Sequence, residues 1–78
     1  MHKKIVESIK YVIENSPIRE SCKIYVAQNN NSDGFWAMIV ICENDSHIKH
    51  IESTAIDIGR MYGEGLHTVT KKSYIEID

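Results

Sequence analysis

The stretch Phe35-Trp-Ala-Met-Ile-Val-Ile-Cys42 is the feature that most restricts what this chain can fold into. Its apolar residues do not alternate with polar ones, so neither side of it is suited to water. It is too short to cross a bilayer, which takes about 18 or more uninterrupted apolar residues. As a strand it needs cover on both faces, the pattern of a central strand. Residues 35–43 are therefore read as the middle of a sheet, and the rest of the chain is arranged around them.

Upstream, Cys22 to Gln28 alternates with period two and reads as a second strand. The polar segment 29–34 between them carries Asp33-Gly34, a turn signal, so the two strands are expected to form a β-hairpin. Residues 3–15 read as an amphipathic helix. Ile5, Ile9 and Val12 form its apolar stripe, flanked by Val6 and Ile13, and Asn15-Ser16-Pro17 ends it. Residues 46–62 read as a second helix, with Asp45 or Ser46 as its cap and Ile48, Ile51, Ala55, Ile58 and Tyr62 on one stripe. Gly59 borders that stripe, where a missing side chain lets another element approach. Gly63 or Gly65 ends the helix in a left-handed conformation. Residues 66–70 read as a strand. Tyr74 to Ile77 is either its continuation or a short fourth strand, with Lys71-Lys72-Ser73 extended or kinked between them. The expected fold is a single α+β domain over residues 1–78. It is a two-layer sandwich of order α-β-β-α-β, with both helices on one face of a three-stranded sheet. A crossover from the second strand to the third is right-handed if those strands are parallel.

Two helices on one side leave the other side of the sheet open. A loop over 29–34 sets Gln28 opposite Phe35, Ile24 opposite Ile39 and Val26 opposite Ala37. Lys23, Tyr25, Trp36, Met38 and Val40 are then displayed. A slip of one residue exchanges the faces of the second strand. Cys22 then opposes Cys42, and Phe35, Ala37, Ile39 and Ile41 are displayed instead. The first register is preferred because it groups the β-branched residues in the core. Either way an apolar row is left uncovered, the mark of an interaction surface. The expected contact residues are Tyr25, Trp36 and Met38, with His50, Asp57 and Arg60 on the polar face of the second helix as a secondary surface.

Nine Lys and Arg against eleven Asp and Glu give a formal charge of -2. That balance points away from nucleic acid, which selects a basic stripe. Glu7, Ser8, Lys10 and Glu14 interrupt any signal-peptide core after Lys3-Lys4, so a cytoplasmic location is expected, with no membrane contact. Cys22 and Cys42 form no Cys-x-x-Cys motif and are read as buried, reduced thiols. His47 and His50 stand three apart at a helix start and are read as solvated rather than as metal ligands. No carboxylate pair is set up for acid–base work. A Cys–His nucleophile would have to recruit His67 to a cysteine in an apolar strand. Neither enzyme activity nor a cofactor is expected. A chain this short buries only about 60% of the surface its unfolded form exposes, so a partner or a homodimer would help it.

Two resemblances follow. The order α-β-β-α-β over the whole chain is similar to type II KH-like domains and to ribosome-assembly factors of that topology, although no Gly-x-x-Gly occurs in the sequence. That resemblance implies RNA binding through Lys23, Lys71 and Lys72, with Tyr25 or Trp36 stacking on bases. The stretch from Phe35 to Ile77 runs strand, Glu-Asn-Asp-Ser cap, helix, Tyr62-Gly63-Glu64-Gly65, strand. It resembles the small single-domain proteins with which phages and mobile elements inhibit host machinery, including anti-CRISPR proteins and RNA-polymerase inhibitors. This second resemblance implies a stoichiometric inhibitor acting by protein–protein binding, and it is the reading preferred here.

Overall fold

The computed structural model describes residues 1–29 and 35–78. The turn expected at Asp33-Gly34 lies outside the described residues. Two helices, α1 (Lys3–Glu14) and α2 (Asp45–Met61), accompany four strands: β1 (Cys22–Asn29), β2 (Phe35–Cys42), β3 (Thr68–Lys71) and β4 (Tyr74–Ile77). The fold is α+β, with one sheet of order β1-β2-β4-β3 in which every pairing is antiparallel.

The expectation of three strands is therefore corrected. Tyr74–Ile77 doubles back as β4 and inserts between β2 and β3, and among the described residues no strands pair in parallel. The reversal uses only Lys72 and Ser73, since Lys71 pairs with Tyr74. Ser73 takes a left-handed conformation (φ 62°), which a non-glycine residue adopts at a cost. The Asp45 carboxylate holds it there, accepting from the Ser73 amide at 2.8 Å and its hydroxyl at 3.2 Å. Asp45 is thus not the helix cap. The cap is Asn44, whose side-chain oxygen accepts from the Ser46 amide at 2.9 Å and the Ser46 hydroxyl at 2.8 Å.

The other end of α2 stops as its glycines imply. Gly63 is left-handed (φ 72°). Its amide bonds to the Arg60 carbonyl at 3.0 Å, and the Glu64 amide to that of Gly59 at 2.8 Å. This pair of bonds defines a Schellman motif. The motif folds Leu66 over Gly59, where a Cβ would lie 2.8 Å from Leu66 Cγ and 2.9 Å from the Glu64 carbonyl oxygen.

Both helices pack on one face of the sheet. Ile5, Ile9 and Ile13 from α1 meet Ile48, Ile51, Ala55 and Ile58 from α2 over Met38, Val40 and Cys42 of β2 and Ile75 and Ile77 of β4. Val12, assigned to the buried stripe of the first helix, is instead exposed, and Val6 is buried in its place. The edge of the core is finished by Met1. Its ammonium donates to the Trp36 carbonyl at 3.1 Å, and its carbonyl accepts from the Trp36 amide at 2.8 Å. Below β3, the backbones of His67 and Asp78 exchange hydrogen bonds of 3.0 and 2.9 Å.

The hairpin adopts the register that the sequence reading ranked second. Asn29 pairs with Phe35, Gln28 with Trp36 and Cys22 with Cys42. The physical reason is at the open end of the hairpin. Cys22 and Cys42 face each other with Cα atoms 4.2 Å apart and are joined by a disulfide, so they are not reduced thiols. Grouping β-branched residues was the weaker constraint. Met38, Val40 and Cys42 fill the space under the helices, and Ile39 and Ile41 turn outward.

Candidate interaction face

The uncovered side of the sheet is built from the odd-numbered residues of β1 and β2 and their partners in β4 and β3. Two cross-strand rows run over it. One is Lys23, Ile41, Tyr74, Lys71, and the other is Tyr25, Ile39, Glu76, Val69. Ala27, Ala37 and Phe35 continue the face toward the hairpin turn. Tyr25 is 54% exposed, Phe35 43% and Ile41 42%. Apolar and aromatic side chains therefore stand side by side on three strands, with no helix over them. Such direct cross-strand neighbours hold each other in place, so the surface is pre-shaped by the sheet.

Charge is sparse here and mostly at the margins. The Tyr74 hydroxyl donates to Glu76 at 3.1 Å, two residues along the same strand. Partial burial, together with this bond and the charge of the Glu76 carboxylate, raises the Tyr74 phenol above its ordinary value. At the Cys42 end, a shallow depression of about 440 Å³ opens between Lys23, Tyr25, Ile41, Glu43 and Ser73. On the opposite side of the molecule a second groove, about 510 Å³, lies between the helices. Tyr11, Val12, Met61 and Tyr62 line it.

The residues singled out in the sequence do not come together. Tyr25 is on the open face. Met38 is on the other, 1% exposed beneath the helices. Trp36 also turns to the core side, where it is half-buried. Met38 and Trp36 are therefore corrected from contact residues to packing residues, because the one-residue shift reverses every side chain of β2. His50, Asp57 and Arg60 are exposed on the outer surface of α2, the far side of the molecule from Tyr25. The open face also carries Phe35, Ile39 and Ile41, displayed in the alternative register, together with Tyr74 and Val69, which the sequence reading did not place there. Their signal was present in the alternative register and in the alternation of Tyr74-Ile-Glu-Ile77.

The polar side chains of the described residues make mainly local contacts. His47 Nδ1 is 3.1 Å from the Ser21 hydroxyl, but that hydroxyl gives its hydrogen to the Ile18 carbonyl at 2.9 Å. In that arrangement His47 donates to the Ser21 oxygen from its Nδ1–H tautomer. The disulfide leaves no thiolate for His67, whose ring pairs with Asp78 at 3.3 Å. No three His, Cys, Asp or Glu side chains are grouped to hold a metal ion among the described residues. Among the described residues no helix is long and apolar enough to cross a membrane. Comparison with protein-family models, curated proteins and solved structures returned no match for this chain.

Proposed function

We propose that this chain is a non-enzymatic interaction module that binds another protein through the open face of its sheet. The observation that carries the reading is the exposure of Tyr25, Phe35 and Ile41 around the half-buried Ile39 on adjacent strands. Isolated apolar residues on a surface are ordinary, but a clustered set rich in aromatics is the composition of an interface centre. Lys23, Lys71 and Glu43 stand at the rim, and Glu76, bonded to the Tyr74 hydroxyl, is the one charge set among the inner side chains. Stoichiometric inhibition of host machinery is the form of this activity that the sequence pattern suggests.

The test is a capture experiment with a paired control. Ile41→Asp and Tyr25→Asp both place a charge on the open face and leave the core untouched. A protein retained by the wild type and lost from both variants supports the proposal, provided their circular dichroism is unchanged. Capture that survives both substitutions overturns it.

One observation favours a second reading. Lys23 and Lys71 flank Ile41 and Tyr74 in a single row, and Lys72 adjoins it, so cations and a stacking ring share one surface. Single-stranded nucleic acid is bound by that combination. The four-stranded antiparallel order removes the topological likeness to KH-like domains, so this reading rests on the face alone. A salt titration with oligonucleotides separates the two readings, because phosphate contacts weaken steeply with salt and apolar ones do not.

A further inference from the structure

We infer that β1 is a self-complementary edge through which a second copy of this chain extends the sheet. This contact runs along the β1 edge rather than over the open face, and Tyr25 borders both. β1 is an outer strand eight residues long, whereas the opposite edge, β3, has four. Long edges are normally blunted by proline, bulges, charge or a covering segment. β1 has no proline, pairs with β2 without a bulge and carries one charged residue, Lys23.

The backbone phase of this edge can be worked out. Cys22 and Cys42, with Cα atoms 4.2 Å apart, form a non-hydrogen-bonded pair. The bond from the Glu43 amide to the Ser21 carbonyl beside them, 3.1 Å long, fixes the same phase. Lys23, Tyr25 and Ala27 therefore bond to β2, while the amides and carbonyls of Ile24, Val26 and Gln28 point outward. The Cys22 amide is taken by the Arg19 carbonyl, which leaves its carbonyl outward as well. Among the described residues no other backbone group meets this edge.

A second β1 laid antiparallel about a two-fold axis at Tyr25 uses all of these groups except the Gln28 carbonyl, whose counterpart, the Cys22 amide, is already taken by Arg19. Ile24 exchanges both bonds with Val26 of the second copy, Val26 does so with its Ile24, and each Gln28 amide reaches a Cys22 carbonyl. Lys23 falls opposite Ala27, so no like charges meet. Tyr25 falls beside Tyr25 on the open side. On the helix side Val26, 38% exposed, covers the half-buried Ile24 of the other copy. The axis is perpendicular to the sheet, so both open faces end up on the same side and form one continuous surface. A strand-to-strand contact is smaller than the roughly 1,000 Å² of a stable dimer, so the equilibrium is concentration-dependent.

Sedimentation of the oxidised protein across micromolar to millimolar concentrations, combined with amide exchange, tests this. Dimer formation is expected, with Ile24, Val26 and Gln28 amides slowing as concentration rises and those of Lys23, Tyr25 and Ala27 slow throughout. Val26→Pro removes an outward donor that β2 does not use, and is expected to give a monomer with an intact fold. Val26→Lys, an edge charge, serves the same end if the proline variant fails to fold. A monomer at every concentration overturns the inference. So does a dimer whose Ile24 and Val26 amides stay fast, which would place the contact on the open face or the helices instead.

Discussion

Reducing the Cys22–Cys42 bond is the perturbation whose size can be worked out most directly. The bond closes a loop across a sequence separation of 20 residues. Cross-linking a loop of that length removes unfolded-state entropy equivalent to about 3 kcal/mol. A domain of this size has roughly 4–12 kcal/mol of stability in total, so the loss is a large share. Reduction by a dithiol keeps both sulfurs in place. It therefore isolates the cross-link from the cavity that Cys42→Ala would open in the core, where Cys42 is 1% exposed. Urea unfolding of the oxidised and reduced forms is the assay. The midpoint should fall, and the slope should rise because the reduced unfolded chain exposes more surface. In a thermal scan the same loss corresponds to a drop of roughly 12–24 °C. A reduced form within about 1 kcal/mol of the oxidised one would refute the reasoning, since the hairpin would then be closed by its own contacts in the unfolded ensemble.

Asp45→Ala should destabilise the fold by about 1–2 kcal/mol, because it frees the left-handed Ser73 turn and removes a carboxylate from the first turn of α2. Ser73→Gly in that background should restore part of the loss by removing the conformational penalty, read by chemical denaturation. Tyr74 should titrate above the ordinary 10.0. The folded form holds that proton more tightly than the unfolded one, so the stability it contributes is complete below the ordinary value and is lost as pH rises through the folded one. In Glu76→Gln the Tyr74 ring resonances should titrate at lower pH than in the wild type.

Those elements whose signals are local were legible in the sequence. The α1 stop at Pro17, the Gly63 exit from α2 and the close approach at Gly59 each depend on one residue's backbone chemistry and stand where expected. The β1–β2 hairpin was legible as well, because alternation and turn composition agree. Its register was not. With apolar residues on both sides of β2, the alternation that normally sets register carries no preference, and the deciding contact is between Cys22 and Cys42, far apart in sequence. The fourth strand was hidden for a related reason. Its turn has neither glycine nor asparagine, and what permits it is Asp45, 28 residues away from Ser73. The candidate face inherited both errors. Tyr25 was found because its strand alternates, whereas Trp36 and Met38 were assigned to the wrong side with the rest of β2.

The position of the covalent link, at the end of the hairpin away from its turn, has a consequence for how the chain tolerates injury. Strands 22–29 and 35–42 and the segment between them form a ring sealed by sulfur. A protease that cuts the backbone anywhere inside the ring would leave two pieces still fastened to each other and still in phase. Insertions between the two strands would likewise enlarge the ring without unlocking it. Evolution or an engineer could thus rewrite the tip of this hairpin freely while the alignment of the sheet is kept from its base.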